Sequence, residues 1–170
     1  MLKSEFWKLI DDSRHEAGGD VSAHLGTFHS ALDELEMNEL VSFAHWFDDY
    51  YNTANTWGLW DAAYLIGGGC SDDGFLDFKG WLISQGEKVF EAAVANPESL
   101  AKVVKVGQWC RAEGFNYAAQ SLWEKKSGKS ADQFPPSPLA SGNHDIRGEQ
   151  CEEGKLVKRY PKLARKFLAL

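Results

Sequence analysis

The chain has 170 residues, of which 44% are hydrophobic, 13% aromatic and 25% charged. That composition excludes a disordered segment, and the length suits one domain that buries about two-thirds of its unfolded surface without a metal or disulfide staple. A net charge of −7 argues against nucleic acid as a partner, because phosphates repel an acidic surface.

Helical spacing dominates the chain from its start. Ser4 is placed to cap a helix with Phe6, Trp7, Leu9 and Ile10 on its apolar face, ended by Gly18-Gly19. Asp20 is placed to cap a second, with Val21, Leu25, Phe28, Leu32 and Leu35 at three- and four-residue steps. Asn38 opens a third, carrying Leu40, Phe43, Ala44, Phe47, Tyr50 and Tyr51. Trp57 to Ile66 reads as a fourth helix, apolar on nearly all sides except at Asp61 and therefore central.

The glycines Gly67, Gly68 and Gly69 then break the chain. Ser71 or Asp72 can cap the next helix, whose face holds Phe75, Phe78, Trp81 and Leu82, with Gly86 at its end. A helix over about Glu87–Ala95 follows, then Asn96-Pro97 and a short helix to about Lys105. Trp109 to Lys125 has a helical pattern weakened at Gly114, and Gly128 ends it. Residues 1–128 thus form a helical core. Over 129–154 the pattern vanishes into a Pro-, Gly- and Ser-rich extended loop. Residues 155–170 read as a basic amphipathic helix restarting at Pro161 and packing on the core. It holds six basic residues and no acidic one, which leaves −13 on the remainder. The predicted fold is all-α, with about seven to nine helices around an aromatic core centred on Trp60, Tyr64, Phe75, Phe78 and Trp81.

Three cysteines, Cys70, Cys110 and Cys151, share no CxxC spacing, which argues against a disulfide framework or a zinc knuckle. The N-terminal twenty residues contain no apolar run of the secretory kind, and no stretch approaches membrane-spanning length. The default location is then the cytoplasm. No pairing of the HExxH or ExxH kind is present, and His45 with Asp48 and Asp49 is too little for a metal site, so neither metal nor cofactor is expected.

The densest candidate site is Trp57, Trp60 and Asp61 with Cys70, Ser71, Asp72 and Asp73. One reading makes Asp61 and the 70–73 turn the most polar buried point of the fold, fixing how two central helices meet. The function is then a non-enzymatic binding or regulatory module with a protein partner, a basic one by charge complementarity. A second reading is a small hydrolase or transferase using Asp or Cys in a Trp-lined cleft. Cys70 before a helix start could be a nucleophile, and two carboxylates about 5–10 Å apart could act on a sugar. A third is an anion or nucleotide sensor at the Gly67–Gly69 turn, where a helix N-terminus offers N–H groups. Asp72 and Asp73 stand where the anion would sit, and the Lys of a phosphate-binding loop is lacking. Oligomeric state is not legible.

The stretches Phe6-Trp7-x-Leu9-Ile10, Trp60-Asp61-Ala62-Ala63-Tyr64-x-Ile66 and Gly68-Gly69-Cys70-Ser71-Asp72-Asp73-x-Phe75-x-x-Phe78-x-x-Trp81-Leu82-Ile83-x-x-Gly86 resemble a bacterial family, the domain of unknown function numbered forty-two-forty. Asn96-Pro97-Glu98-Ser99-Leu100, Tyr117-Ala118 and Arg159-Tyr160-Pro161-x-Leu163 are similar as well. The resemblance covers about Ser4 to Gly128. It implies a bacterial cytoplasmic protein and carries no activity or catalytic residue with it.

Overall fold

Among the described residues ten α-helical segments follow one another along the chain, several of them started by a local cap. A computed structural model describes residues 1–139 and 145–168, apart from the side chains of Val21 and Ser22. Residues 140–144 of the expected loop, residues 169–170 of the expected tail helix and the apolar contact expected of Val21 lie outside the described residues.

Helix α1 (Lys3–Glu16) starts two residues earlier than a cap at Ser4 would place it. The Glu5 carboxylate accepts the Leu2 backbone N–H at 2.6 Å and so satisfies one of the donors that a helix start leaves open. Helix α2 (Val21–Asp33) is capped as expected, the Asp20 carboxylate accepting from the Ala23 N–H at 2.7 Å. Helix α3 (Met37–Thr53) begins at Glu36, whose N–H donates to Glu39, and not at Asn38. Helix α4 (Trp57–Gly67) is capped by the Thr56 hydroxyl and stops at Gly68, whose φ of 67° suits glycine. Helix α5 (Asp72–Ser84) is capped by Ser71. Gly86 lies at the end of α5 as expected, its N–H donating to the Ile83 carbonyl at 3.0 Å, and with φ 90° it also opens α6 (Glu87–Ala95).

A single 3-10 turn leads into α7 (Leu100–Val103). The helix expected from Trp109 begins only at Ala118, as α8 (Ala118–Ser127). Gly114, inside the expected helix, adopts a φ of 98°, which a continuous helix cannot contain. The tail forms α9 (Leu156–Arg159) and, restarted by Pro161, α10 (Pro161–Phe167). Its apolar residues Leu156, Tyr160 and Leu163 are buried in the common core, with α10 lying against α4. Among the described residues there is no strand, and no helix is long and apolar enough to cross a membrane.

The aromatic residues fill the interior as interlocked rings. Phe6 lies 4.7 Å from Phe43, Trp7 lies 4.6 Å from Tyr50, and Phe28 lies 4.8 Å from Phe115. Pairs at such spacing contribute about 0.5–1.5 kcal/mol beyond area burial. Phe75, Phe78 and Trp81 are buried as predicted. Trp60 and Tyr64 are not central, however; both are half-buried. The helix turns Leu59, Ala62, Ala63 and Leu65 inward, and the alanines let α4 approach its neighbours closely. Trp57, Trp60 and Tyr64, at steps of three and four, form a stripe along its flank.

Candidate ligand-binding cleft

The residues singled out in the sequence are distributed over three places. Trp57, Trp60 and Asp72 line one cleft. Asp61 faces the C-terminal tail. Cys70 lines a separate hollow of about 180 Å³ with Cys110, Trp109 and Arg111. The 70–73 turn is not buried: Ser71, Asp72 and Asp73 are exposed and Cys70 is half-buried. The single polar buried point expected of Asp61 and this turn is therefore corrected to a buried aspartate on α4 and a solvated helix start on α5. Their separation has a local cause, since the carboxylates and hydroxyl that open a helix keep their solvent when the cap itself supplies the missing acceptors.

The Gly67–Gly69 turn uses its donors internally. The Gly68 and Gly69 N–H groups both point to the Tyr64 carbonyl, the latter at 2.9 Å. At the start of α5 the Gly74 N–H donates to Ser71 Oγ at 3.1 Å, and Phe75 N–H donates to the Ser71 carbonyl. Burial pushes the Cys70 thiol above its ordinary pKa, with Arg111 opposing and Asp72 reinforcing the shift. Cys110 is pushed up to about 12 by burial. Both thiols are held in the unreactive form, and thiol and carboxylates do not converge on one space.

Asp61 is 4% exposed. Burial raises its carboxyl pKa, while the Tyr160 hydroxyl and the Arg159 charge pull part of that shift back. Its Oδ2 has no hydrogen-bond partner among the described residues. Of the histidines, His24 is buried against Ser13 Oγ at 3.0 Å and held neutral, its pKa lowered to about 4 by burial and then by Arg14. His45 Nε2 lies 2.9 Å from the Pro135 carbonyl. Among the described residues, no three His, Cys, Asp or Glu side chains are grouped to hold a metal.

The cleft itself has a volume of about 730 Å³. It lies between the end of α3, the Trp stripe of α4 and the first turns of α5. Trp57 and Trp60 stand 5.6 Å apart, and Trp60 packs at 4.7 Å on Phe75. Asp48 and Asp49 of α3 and Asp72 of α5 also line it. The far wall comes from the long loop, through Ser137, Leu139 and Ile146. That wall is tied down beside Ile146. Trp57 N–H donates to the Arg147 carbonyl at 2.9 Å, Arg147 N–H donates to the Asn55 carbonyl at 3.0 Å, and the guanidinium reaches the Asn52 and Thr53 carbonyls at 2.7 and 2.8 Å. These last two carbonyls belong to the final turn of α3, where the Asn52 carbonyl also accepts the Asn55 N–H at 2.9 Å.

One residue of the cleft escaped the sequence reading. Lys79 is 4% exposed and lines the cavity. Its ammonium donates to Asn55 Oδ1 at 3.2 Å and lies 4.1 Å from the centre of the Tyr51 ring and 5.1 Å from that of Phe75. Burial lowers its pKa from 10.5 to about 8. The signal was present in the spacing: Phe75, Phe78, Lys79 and Leu82 share one helix face at steps of three and four. A lysine on an apolar face is the anomaly to follow, since lysines are rarely fully buried without a charged partner.

No curated protein and no solved structure matches the chain. A family model matches residues 1–125, which include Tyr51, Trp57, Trp60, Phe75 and Lys79 and exclude the loop wall and the tail. That model describes a protein of unknown function, DUF4240, and the chain belongs to this family.

Proposed function

We propose that the chain is a small-molecule-binding protein whose ligand occupies the aromatic cleft between α3, α4 and α5. The observation that carries this reading is a lysine 4% exposed on the wall of a hollow of about 730 Å³, beside Tyr51, Trp57, Trp60 and Phe75. That volume is of the size that ligand sites take, and apolar walls with a few convergent polar groups are their usual lining. The rings favour a flat, apolar ligand, with Trp57, Trp60 and Asp72 among the residues that contact it. Titration with benzyl alcohol, followed by 1H–15N spectroscopy, tests this. Saturable shifts of the Trp57 and Trp60 indole signals, with those of Trp7 and Trp81 unmoved, are expected. Shifts spread evenly over all indoles, or none, would refute the cleft as the site.

A protein partner is the second reading, and a different region supports it. Val106 and Trp109, on the irregular segment between α7 and α8, are each 69% exposed. Large apolar side chains grouped in the open mark interaction surfaces. Under this reading the double variant V106D/W109S loses capture of a partner from cell extract and keeps the benzyl alcohol shifts. Capture that survives this variant would place any partner elsewhere.

A further inference from the structure

Lys79 poses a specific chemical question. A buried ammonium needs a counter-charge or good hydrogen-bond acceptors to replace water. Among the described residues its one hydrogen bond goes to an amide oxygen, and the faces of Tyr51 and Phe75 stand beside it. Tyr51 offers no counter-charge. Burial raises its pKa, and its hydroxyl donates to the Leu76 carbonyl at 3.1 Å.

Two ligand chemistries would answer such a lysine: an anion that supplies the missing charge, or an electrophile that uses the neutral amine. The cleft chooses between them. Asp48, Asp49 and Asp72 line the same space and repel an anion as it enters. A neutral carbonyl compound meets no such barrier, and the apolar rings favour it. We infer that Lys79 is a nucleophile that captures a small apolar aldehyde or ketone in this cleft as an imine. This rests on the reading of the cleft as a ligand site.

The step balances without any further reagent. The Lys79 Nζ lone pair forms a bond to the carbonyl carbon, and the carbonyl π pair moves to oxygen. One proton passes from nitrogen to that oxygen to give the carbinolamine. The nitrogen lone pair then forms the C=N bond as the C–O bond breaks, and the remaining N–H proton leaves with the oxygen as one molecule of water. Nothing is oxidised or reduced.

At pH 7 an amine of pKa about 8 holds a neutral fraction roughly two orders of magnitude above that of an ordinary lysine. Its lower basicity takes back part of that gain, so a rate advantage of about tenfold or more is expected. The experiment treats the whole chain with benzaldehyde and sodium cyanoborohydride at pH 7 for short times, then maps the N-benzyl groups by peptide mass spectrometry. Lys79 should be labelled at least about tenfold faster than the other lysines. Benzyl alcohol should slow that labelling, and Lys79→Arg should abolish it at this position alone. Labelling of Lys79 no faster than of surface lysines, with the benzyl alcohol shifts of Trp57 and Trp60 intact, overturns the imine and leaves the binding cleft standing. Fast labelling that benzyl alcohol does not slow overturns capture inside the cleft. Neither labelling nor shifts overturns both.

Discussion

The α4–α5 pair carries a buried ionisable side chain on each of two sides, and the two are treated differently. Asp61 faces the C-terminal tail, where the Tyr160 hydroxyl and the Arg159 charge partly compensate its burial. Lys79 faces the cleft, where burial alone is the cause of its shift. The tail offsets part of the first burial, whereas at the second an amide oxygen and two ring faces stand beside the ammonium. Packing repeats the contrast. Trp81, beyond Lys79 on α5, is fully buried, while Trp57 and Trp60 on α4 are only half-buried and border the cleft. A buried ammonium beside an amide and two rings is what supports the proposed reading of this cleft as a ligand site.

The largest effect separates the sealed interior from the open wall. Trp81→Ala should cost about 3–5 kcal/mol, a cavity effect large enough to threaten folding. Trp57→Ala should cost under about 1.5 kcal/mol, because that ring already meets solvent. Urea denaturation reads both. Equal losses would erase the distinction between core and cleft.

Lys79→Met follows, with the opposite sign. Removing an inadequately solvated charge should stabilise the fold by about 1–3 kcal/mol at pH 7. The folded pKa of about 8 lies below the unfolded 10.5. The unfolded chain therefore binds more protons between these values, and wild-type stability rises with pH through that window. The gain from Lys79→Met is accordingly full below pH 8 and fades by about pH 10.5. A Met variant less stable than wild type would show that the fold itself satisfies Lys79.

On the other side of the pair, Tyr160→Phe should destabilise by about 1–2 kcal/mol, since it withdraws a donor from a buried carboxylate. The loss should be greatest at neutral pH and shrink as acid neutralises Asp61, whose raised pKa moves that neutralisation upward from the ordinary carboxyl range. A neutral outcome at every pH would mean that the tail adds packing and no compensation.

The parts of this arrangement that were legible in the sequence are those set by neighbours within one turn. Asp20, Ser71 and Pro161 mark their helix starts because a cap needs only local atoms. The all-α fold and the burial of Phe75, Phe78 and Trp81 follow from spacing on one helix face. What was not legible depends on partners distant in the chain. Trp60 looked central because its neighbours are apolar, yet the alanines beside it take the inner position and the ring flanks a cleft. Asp61 and the 70–73 turn looked like one cluster because they share a motif, but α4 is long enough to carry them to different sides. Lys79 went unremarked because its surroundings depend on Asn55, 24 positions earlier, and on Tyr51. The helix expected from Trp109 failed at Gly114, the weak point of its pattern, whose positive φ no periodicity reveals.

The smallest stability effect carries the most specific test of the open side. Arg147 is exposed, and its guanidinium holds the Asn52 and Thr53 carbonyls at the end of α3. Exposed contacts of this kind contribute about 1 kcal/mol or less, so Arg147→Ala should scarcely move the denaturation midpoint. Its neighbour Ile146 nevertheless forms part of the cleft wall, and that wall is fixed to α4 by the backbone bonds at Arg147 itself. Loosening it exposes the bound ring of benzyl alcohol to water without removing any residue that lines the cleft. An affinity loss of about threefold to fivefold is expected, equivalent to under about 1 kcal/mol. Unchanged affinity would mean that the loop contributes nothing to the site and that the cleft works with its helical walls alone. A loss of stability as large as that of Trp81→Ala would mean that the loop belongs to the sealed part of the molecule, and the two sides of α4 would then differ in degree only.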